Sequence, residues 1–328
     1  MGDETKGARP LKIIYIGGYS RSGSTLLLRL LAESLEVTAV GELFDVWNRS
    51  YRENQLCGCG LPFRECPFWT AVSVQAFGRE PADVPAEQLE ARRHRVQGYA
   101  AIPLLWWPML RTRTYRRRLA SYADLLGRLY RAISDASDGH VIVDSSKVPQ
   151  FAWILAEIPG VELHMVHLVR DSRAAAFSWR RRKIRPEISW QEKAMDRHSV
   201  LRSGLEWSLF NLMLRSRRRV LSSYSLIRYE DMVRDPAGTL QAIAAATREP
   251  VKDLHLSEEG SVTLRMAHTT SGNPGRFDTG PVTIRRDDAW RHEMPPWDRL
   301  LVTALTAGGL RRYGYEARAP AAGDPSNE

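Results

Sequence analysis

Residues 11–25 read LKIIYIGGYSRSGST: a seven-residue apolar run, two glycines, a short polar loop, then a Ser-Thr pair that opens a leucine-rich stretch. An apolar run without alternation marks a strand buried on both faces, as a parallel sheet requires. Gly18 to Thr25 has the form G-x-x-x-x-G-S-T, a phosphate-loop pattern with Ser24 where the lysine belongs. Glycines let the backbone close around an anion, and the helix starting near Ser24 turns its positive end toward it. The absent lysine, which reaches the β- and γ-phosphates, argues against triphosphate hydrolysis. Arg21 puts a cation in the loop from another direction. Alone, the segment also fits a structural turn with an ordinary Ser/Thr cap.

The rest of the chain repeats this grammar. Strands are expected at Val37–Val40, Val141–Val143, Leu163–Val169 and Ser225–Tyr229. Helices are expected at 24–35, 115–136, 149–158, 190–218 and 236–247, with another running through Trp179. Alternating strands and helices predict one α/β domain over 11–315, a parallel β-sheet flanked by helices. Residues 1–10 and 317–328 read as tails, and 46–138 as a largely helical insert. The longest apolar run, Ile102 to Leu110, has nine residues and two prolines, against roughly 20 for a bilayer span. Met1 to Pro10 has no apolar signal core, so a cytoplasmic chain is expected.

Ligands of such sheets bind at the carboxyl ends of the strands. Polar loops fall there at 18–25, 144–147 and 170–173. Arg170 ends the fourth predicted strand and Ser178 lies eight residues on, so together they can hold a second phosphate by a guanidinium fork and a hydroxyl. The 328 residues carry 47 Lys+Arg against 38 Asp+Glu, a net charge of +9. That surplus suits an anionic ligand of any kind, including nucleic acid or acidic lipid. A nucleic-acid reading module is not recognisable among the arginine clusters. Only six cations are lysines, and one, Lys147, directly follows a buried strand.

With both phosphate motifs in order, the chain resembles sulfotransferases that use 3′-phosphoadenosine 5′-phosphosulfate (PAPS). Arg21-Ser22-Gly23-Ser24-Thr25-Leu26 matches their 5′-phosphosulfate loop, Arg170 to Ser178 their 3′-phosphate segment, and Arg228 to Leu240 (RYEDMVRDPAGTL) their Y-E-D segment. The similarity is to the membrane-type branch of tyrosylprotein and carbohydrate enzymes and its bacterial relatives, the latter linking it to secondary metabolism. It implies the P-loop NTPase-like sulfotransferase fold and sulfuryl transfer from PAPS, releasing PAP. It implies Glu42 as general base, Lys147 and Arg21 as catalytic cations, and a cofactor site of Arg21, Ser22, Gly23, Ser24, Thr25, Leu26, Arg170 and Ser178. By the same resemblance, the glycine-rich segment His268 to Gly280 closes over the cofactor with Arg276 at the 3′-phosphate, and Trp290 packs near the adenine.

Other readings stay open at this level. Asp45, His164 and His167 rival Glu42 as base, although both histidines sit in an apolar strand. Asp144, at the end of an apolar strand, resembles a magnesium ligand of a P-loop kinase or other phosphotransferase using ATP. Cys57, Cys59 and Cys66 lack a fourth ligand nearby, so a structural loop, with one disulfide at most, is expected and no metal site is assigned. The insert 46–138 is expected to form the acceptor side or a lid. Its aromatic patch suits a small hydrophobic, phenolic, lipid or natural-product acceptor, and fits a core or homodimer interface as well.

Overall fold

A computed structural model of the chain describes residues 10–137, 140–181, 188, 197–252, 257 and 260–316. The expected tails and the first part of the expected 190–218 helix lie largely outside them. In chain order the elements are β1 (Leu11–Gly17), α1 (Ser24–Ser34), β2 (Val37–Gly41), α2 (Pro67–Phe77), α3 (Ala86–Val96), α4 (Ile102–Trp106), α5 (Arg113–Asp135), β3 (Val141–Lys147), α6 (Pro149–Leu155), β4 (Val161–Val169), α7 (Ser172–Arg180), α8 (Val200–Ser216), β5 (Ser223–Arg228), α9 (Tyr229–Arg234), α10 (Pro236–Thr247), β6 (Ser261–Leu264), β7 (Gly280–Thr283), α11 (Trp290–Glu293) and α12 (Pro296–Arg312).

Five strands form one sheet in the order β2-β3-β1-β4-β5, and every neighbouring pair is parallel. The uninterrupted apolar character of β1 follows from coverage on both faces. Ile14 and Ile16 pack with Leu27, Leu28 and Leu31 of α1, while Ile13 and Tyr15 pack with the core built on residues 46–138. Strand order places β1 between β3 and β4, so its carboxyl end opens at the middle of the rim. Helix α5 begins at Thr112, whose hydroxyl accepts from Tyr115 N at 3.2 Å, a local N-cap.

Hydropathy stops β3 at Val143, yet the strand runs on to Lys147. Its last four residues are polar and all are buried. They stay in the sheet because each finds a partner. Asp144 accepts from Ser146 N (2.6 Å), Ser145 Oγ donates to Gly41 O (3.2 Å) and Lys147 O accepts from Gly18 N (3.2 Å). The antiparallel pair β6–β7 and helix α12 have no counterpart in the sequence expectations. The expectation for the cysteines also changes, because the fold brings His268, 202 residues from Cys66, among the three thiols.

His167 is wholly buried between Tyr224 Oη (2.5 Å) and Asn211 Oδ1 (2.7 Å), and burial pulls its pKa down to about 4. It therefore folds neutral. The unfolded chain binds the extra proton between about pH 6.5 and 4, so stability contributed by His167 is present above that window and lost as pH falls through it. Denaturant titrations at about pH 7.5 and 5 should show the parent losing roughly 1–2 kcal/mol more on acidification than His167→Gln. Equal losses would mean that His167 does not fold neutral.

Candidate active site

The carboxyl ends of all five strands of the main sheet contribute to one cavity of about 340 Å³. The loop after β1 supplies Arg21, Gly23, Ser24, Thr25 and Leu26, the residue after β2 is Glu42, β3 ends in Lys147, Arg170 follows β4, and Tyr229 follows β5. Ser178 and Trp179 of α7 and the segment from Gly272 to Asp287 close the sides. The parallel sheet is therefore what converges side chains hundreds of residues apart.

Two of these residues hold backbone angles that L-residues rarely adopt. Arg21 has φ 72° and Lys147 φ 68°, both left-handed. Such angles cost of order 1 kcal/mol or more and persist where surrounding contacts dictate them. Gly23 lies at φ 87°, and a Cβ there would sit 2.5 Å from the Tyr229 ring. Gly41, at φ 81°, would likewise bring a Cβ to 2.9 Å from Thr270 N. A side chain at either position would push apart elements that form the cavity wall.

Lys147 Nζ donates to Glu42 Oε1 and to Ser145 O (3.0 Å). The Lys147 side chain is 8% exposed and that of Glu42 21%, so the lysine is the more deeply buried of the pair. Arg21 Nε donates to Ser178 Oγ (3.1 Å), and its guanidinium lies 5.9 Å from the Trp179 ring centroid. Arg170 donates to Arg21 O (3.1 Å) and Asp287 O (2.9 Å), and stacks over Tyr229 at 4.4 Å. Its buried Nε makes no hydrogen bond within the protein. Burial, and next the positive charge of Arg170, lower the pKa of Arg21, while Glu42 and Asp287 act the other way. The wall carries five cations, Arg21, Arg29, Arg49, Lys147 and Arg170, against three carboxylates, and Arg21 is destabilised by burial and a like charge, a balance that favours an anionic occupant.

Other expected residues take different places. Ser22 is buried and donates to Tyr19 O (2.7 Å), which shapes the loop without lining the cavity. Arg276 is buried with its guanidinium on Thr269 O (2.7 Å) and Leu56 O (2.6 Å), so it fastens the loop instead of facing the cavity. Trp290 packs among α7, α11 and α12 beside Arg173, away from the cavity. Asp45 pairs with Arg49 (2.6 Å) and His164 with Ser223 (2.8 Å). Asp144 is fully buried, accepting from Ser146 N and Tyr130 Oη, and does not line the cavity, which leaves it unsuited to hold a magnesium ion there. Of the described residues in 46–138 only Arg49 lines the cavity, and the exposed Trp107, Met109 and Leu110 lie off it.

Sequence reasoning missed Tyr229, Asp287, Trp179 and Arg29 as wall residues. Arg29 was visible as one cation inside an apolar helix. It is 2% exposed and donates to four carbonyls, those of Gly275, Arg276, Arg265 and Asp278. Asp287 sits in a run of charges with no pattern to mark it.

A model of the Sulfotransferase family matches residues 14–253. The chain belongs to this family. Among similar proteins, carbohydrate sulfotransferase 5 of Mus musculus is 27% identical over 191 residues, 51% of this chain and 45% of that protein. Carbohydrate sulfotransferase 6 of Homo sapiens is 28% identical over 189 residues, again 51% and 45%. The match thus spans less than half the length of these relatives. The sulfotransferase domain from the curacin biosynthetic pathway superposes with a TM-score of 0.51 at 16% identity, covering 94% of this chain and 99% of that one, a likeness of fold. Among the described residues no helix is long and apolar enough to cross a membrane.

Gly23→Ala should destabilise the chain by roughly 1–3 kcal/mol in denaturant titration, because both the angle and the Tyr229 contact oppose a Cβ. An unchanged midpoint would show that the loop yields freely.

Proposed function

We propose that the chain transfers the sulfuryl group of PAPS to a hydroxyl of a small acceptor with an apolar or aromatic frame, releasing PAP. The observation that carries this reading is the Glu42–Lys147 pair inside a cavity that also holds Arg21 and Arg170. The matched phosphate-loop motif supports Ser24, Thr25 and the loop backbone as the 5′-phosphosulfate site. The buried, incompletely paired Arg170, with Ser178 close by, supports a 3′-phosphate site.

When bound, PAPS supplies a sulfuryl group carried on a phosphate leaving group. Glu42 accepts the proton of the attacking hydroxyl as the new O–S bond forms. Lys147 donates to the oxygen that gathers charge as the old S–O bond breaks, and Arg21 opposes charge on the group in transit. The difference in exposure sorts these roles: the carboxylate meets the acceptor side, the ammonium the phosphate side. Lys147 is already bonded to Glu42, so an entering anion competes with that carboxylate for the ammonium. Trp179 adds apolar surface to the wall, its ring held by stacking on His198 at 3.8 Å. This chemistry runs on side chains and asks for no metal ion at the reacting atoms.

Calorimetry with PAP, adenosine 5′-phosphosulfate and ATP tests the donor. PAP should bind more tightly than ATP, and Arg170→Ala should weaken PAP by about tenfold or more while changing adenosine 5′-phosphosulfate, which lacks the 3′-phosphate, far less. Equal loss for both ligands would remove Arg170 from the 3′-phosphate; ATP binding with phosphorylation of an acceptor would replace sulfuryl transfer altogether.

Transfer from radiolabelled PAPS to a panel of phenols and alcohols tests the catalytic roles. Glu42→Gln and Lys147→Ala should each cut turnover by about 10²–10⁴ while unfolding midpoints stay close to the parent. Retained turnover in both would refute the mechanism.

A further inference from the structure

The three cysteines take no part in the cavity, yet the fold gathers them with a fourth donor. Cys57, Cys59, Cys66 and His268 place their ligating atoms all within 4.8 Å of one another. The individual separations are 3.7 Å between Cys59 and Cys66 sulfurs, 3.3 Å from Cys66 Sγ to His268 Nδ1 and 3.9 Å from Cys57 Sγ to the same nitrogen. Zinc at ~2.3 Å from sulfur and ~2.0 Å from nitrogen in a tetrahedron has edges of roughly 3.5–3.8 Å, which these three distances bracket. We propose that these four side chains hold a structural zinc ion, a closed Cys₃His site separate from the reaction.

The surroundings are those of a site and not of a chance cluster. Cys57 and Cys66 are buried. The Phe68 ring stacks on His268 at 5.1 Å and 12°, and the His268 carbonyl accepts from the Trp69 indole at 3.0 Å. These contacts fix the imidazole with Nδ1 toward the sulfurs. Gly58 N donates to Thr269 O (2.8 Å), and a Cβ on Gly58 would come within 2.4 Å of Ala267 O, so the two ligand-bearing segments touch backbone to backbone. A disulfide would use two thiols and strand the third thiol and the imidazole. A soft divalent cation uses all four, releasing the thiol protons on binding.

The ion has a structural task. Beyond His268 the chain runs across the rim of the sheet: Thr270 N donates to Val40 O (2.9 Å), Ser271 Oγ donates to Glu42 O (3.1 Å), and Gly272 and Asn273 line the cavity. Anchoring His268 to the cysteine knuckle therefore fixes the start of the segment that lies over Glu42.

Metal analysis of the full chain, purified without chelator from zinc-supplemented cells, should find about one zinc per chain. Cobalt substitution should give the strong visible bands of tetrahedral thiolate coordination. His268→Cys should keep the metal and shift those bands, whereas His268→Ala and Cys66→Ser should lose affinity by at least about tenfold. A folded parent protein with less than about a tenth of an equivalent of any transition metal and no cobalt bands would overturn the site. So would mass spectrometry finding two of the three thiols joined in the freshly isolated parent. Both overturning measurements are made on the parent chain and do not depend on whether it transfers sulfuryl groups.

Discussion

Lys147 is where the rim of the sheet is tied together. Its carbonyl accepts from Gly18 at the root of the first loop, its ammonium reaches Glu42 beyond β2, and its own strand continues only because three buried polar neighbours are satisfied. The left-handed angle at Lys147 is what lets backbone and side chain serve different strands at once. A residue free to relax to an ordinary extended angle would aim its side chain elsewhere. Fixing charge before a ligand arrives is the condition for electrostatic stabilisation, since nothing then has to reorganise when charge develops.

Much of this was legible in the sequence because it is local. A continuous apolar strand, a glycine turn and a leucine-rich helix are written in consecutive residues, and the rule that parallel sheets bind at their carboxyl ends converts them into a rim. The site residues placed by strand ends, Arg21, Glu42, Lys147 and Arg170, meet in one cavity. What was illegible is what depends on distant partners. Asp144 to Lys147 look like a loop until their hydrogen bonds are known. Arg276 has the composition of a phosphate ligand and serves two backbone carbonyls. No spacing rule connects Cys66 to a histidine 202 residues away.

The surplus of arginine finds a partial account in the same contacts. Arg29 and Arg276 donate to backbone carbonyls of the loops around the rim, and Arg64, Arg111 and Arg217 to carbonyls of short helical turns, those of Tyr51, Leu104 and Leu105. A guanidinium presents five donors in a rigid fork, so one buried arginine can satisfy several carbonyls that no helix or strand serves. Lysine, with a compact and strongly hydrated charge, does this poorly. The net charge therefore mixes two populations: cations that line the cavity, and cations that brace the backbone around it.

The crossing of the rim by residues 268–287 has a consequence for how the molecule comes into being. The cavity opens with the loop after β1 but is walled by Gly272, Asn273 and Asp287, so its parts leave the ribosome more than 240 residues apart. Synthesis at about 5–20 residues per second separates those moments by roughly 10–50 s. Between the appearance of Arg170 and that of Asp287 the three rim cations have been made without the segment that walls them in. The complete cavity wall thus forms only once residues 272–287 have joined the rim, and that late segment decides when the site appears.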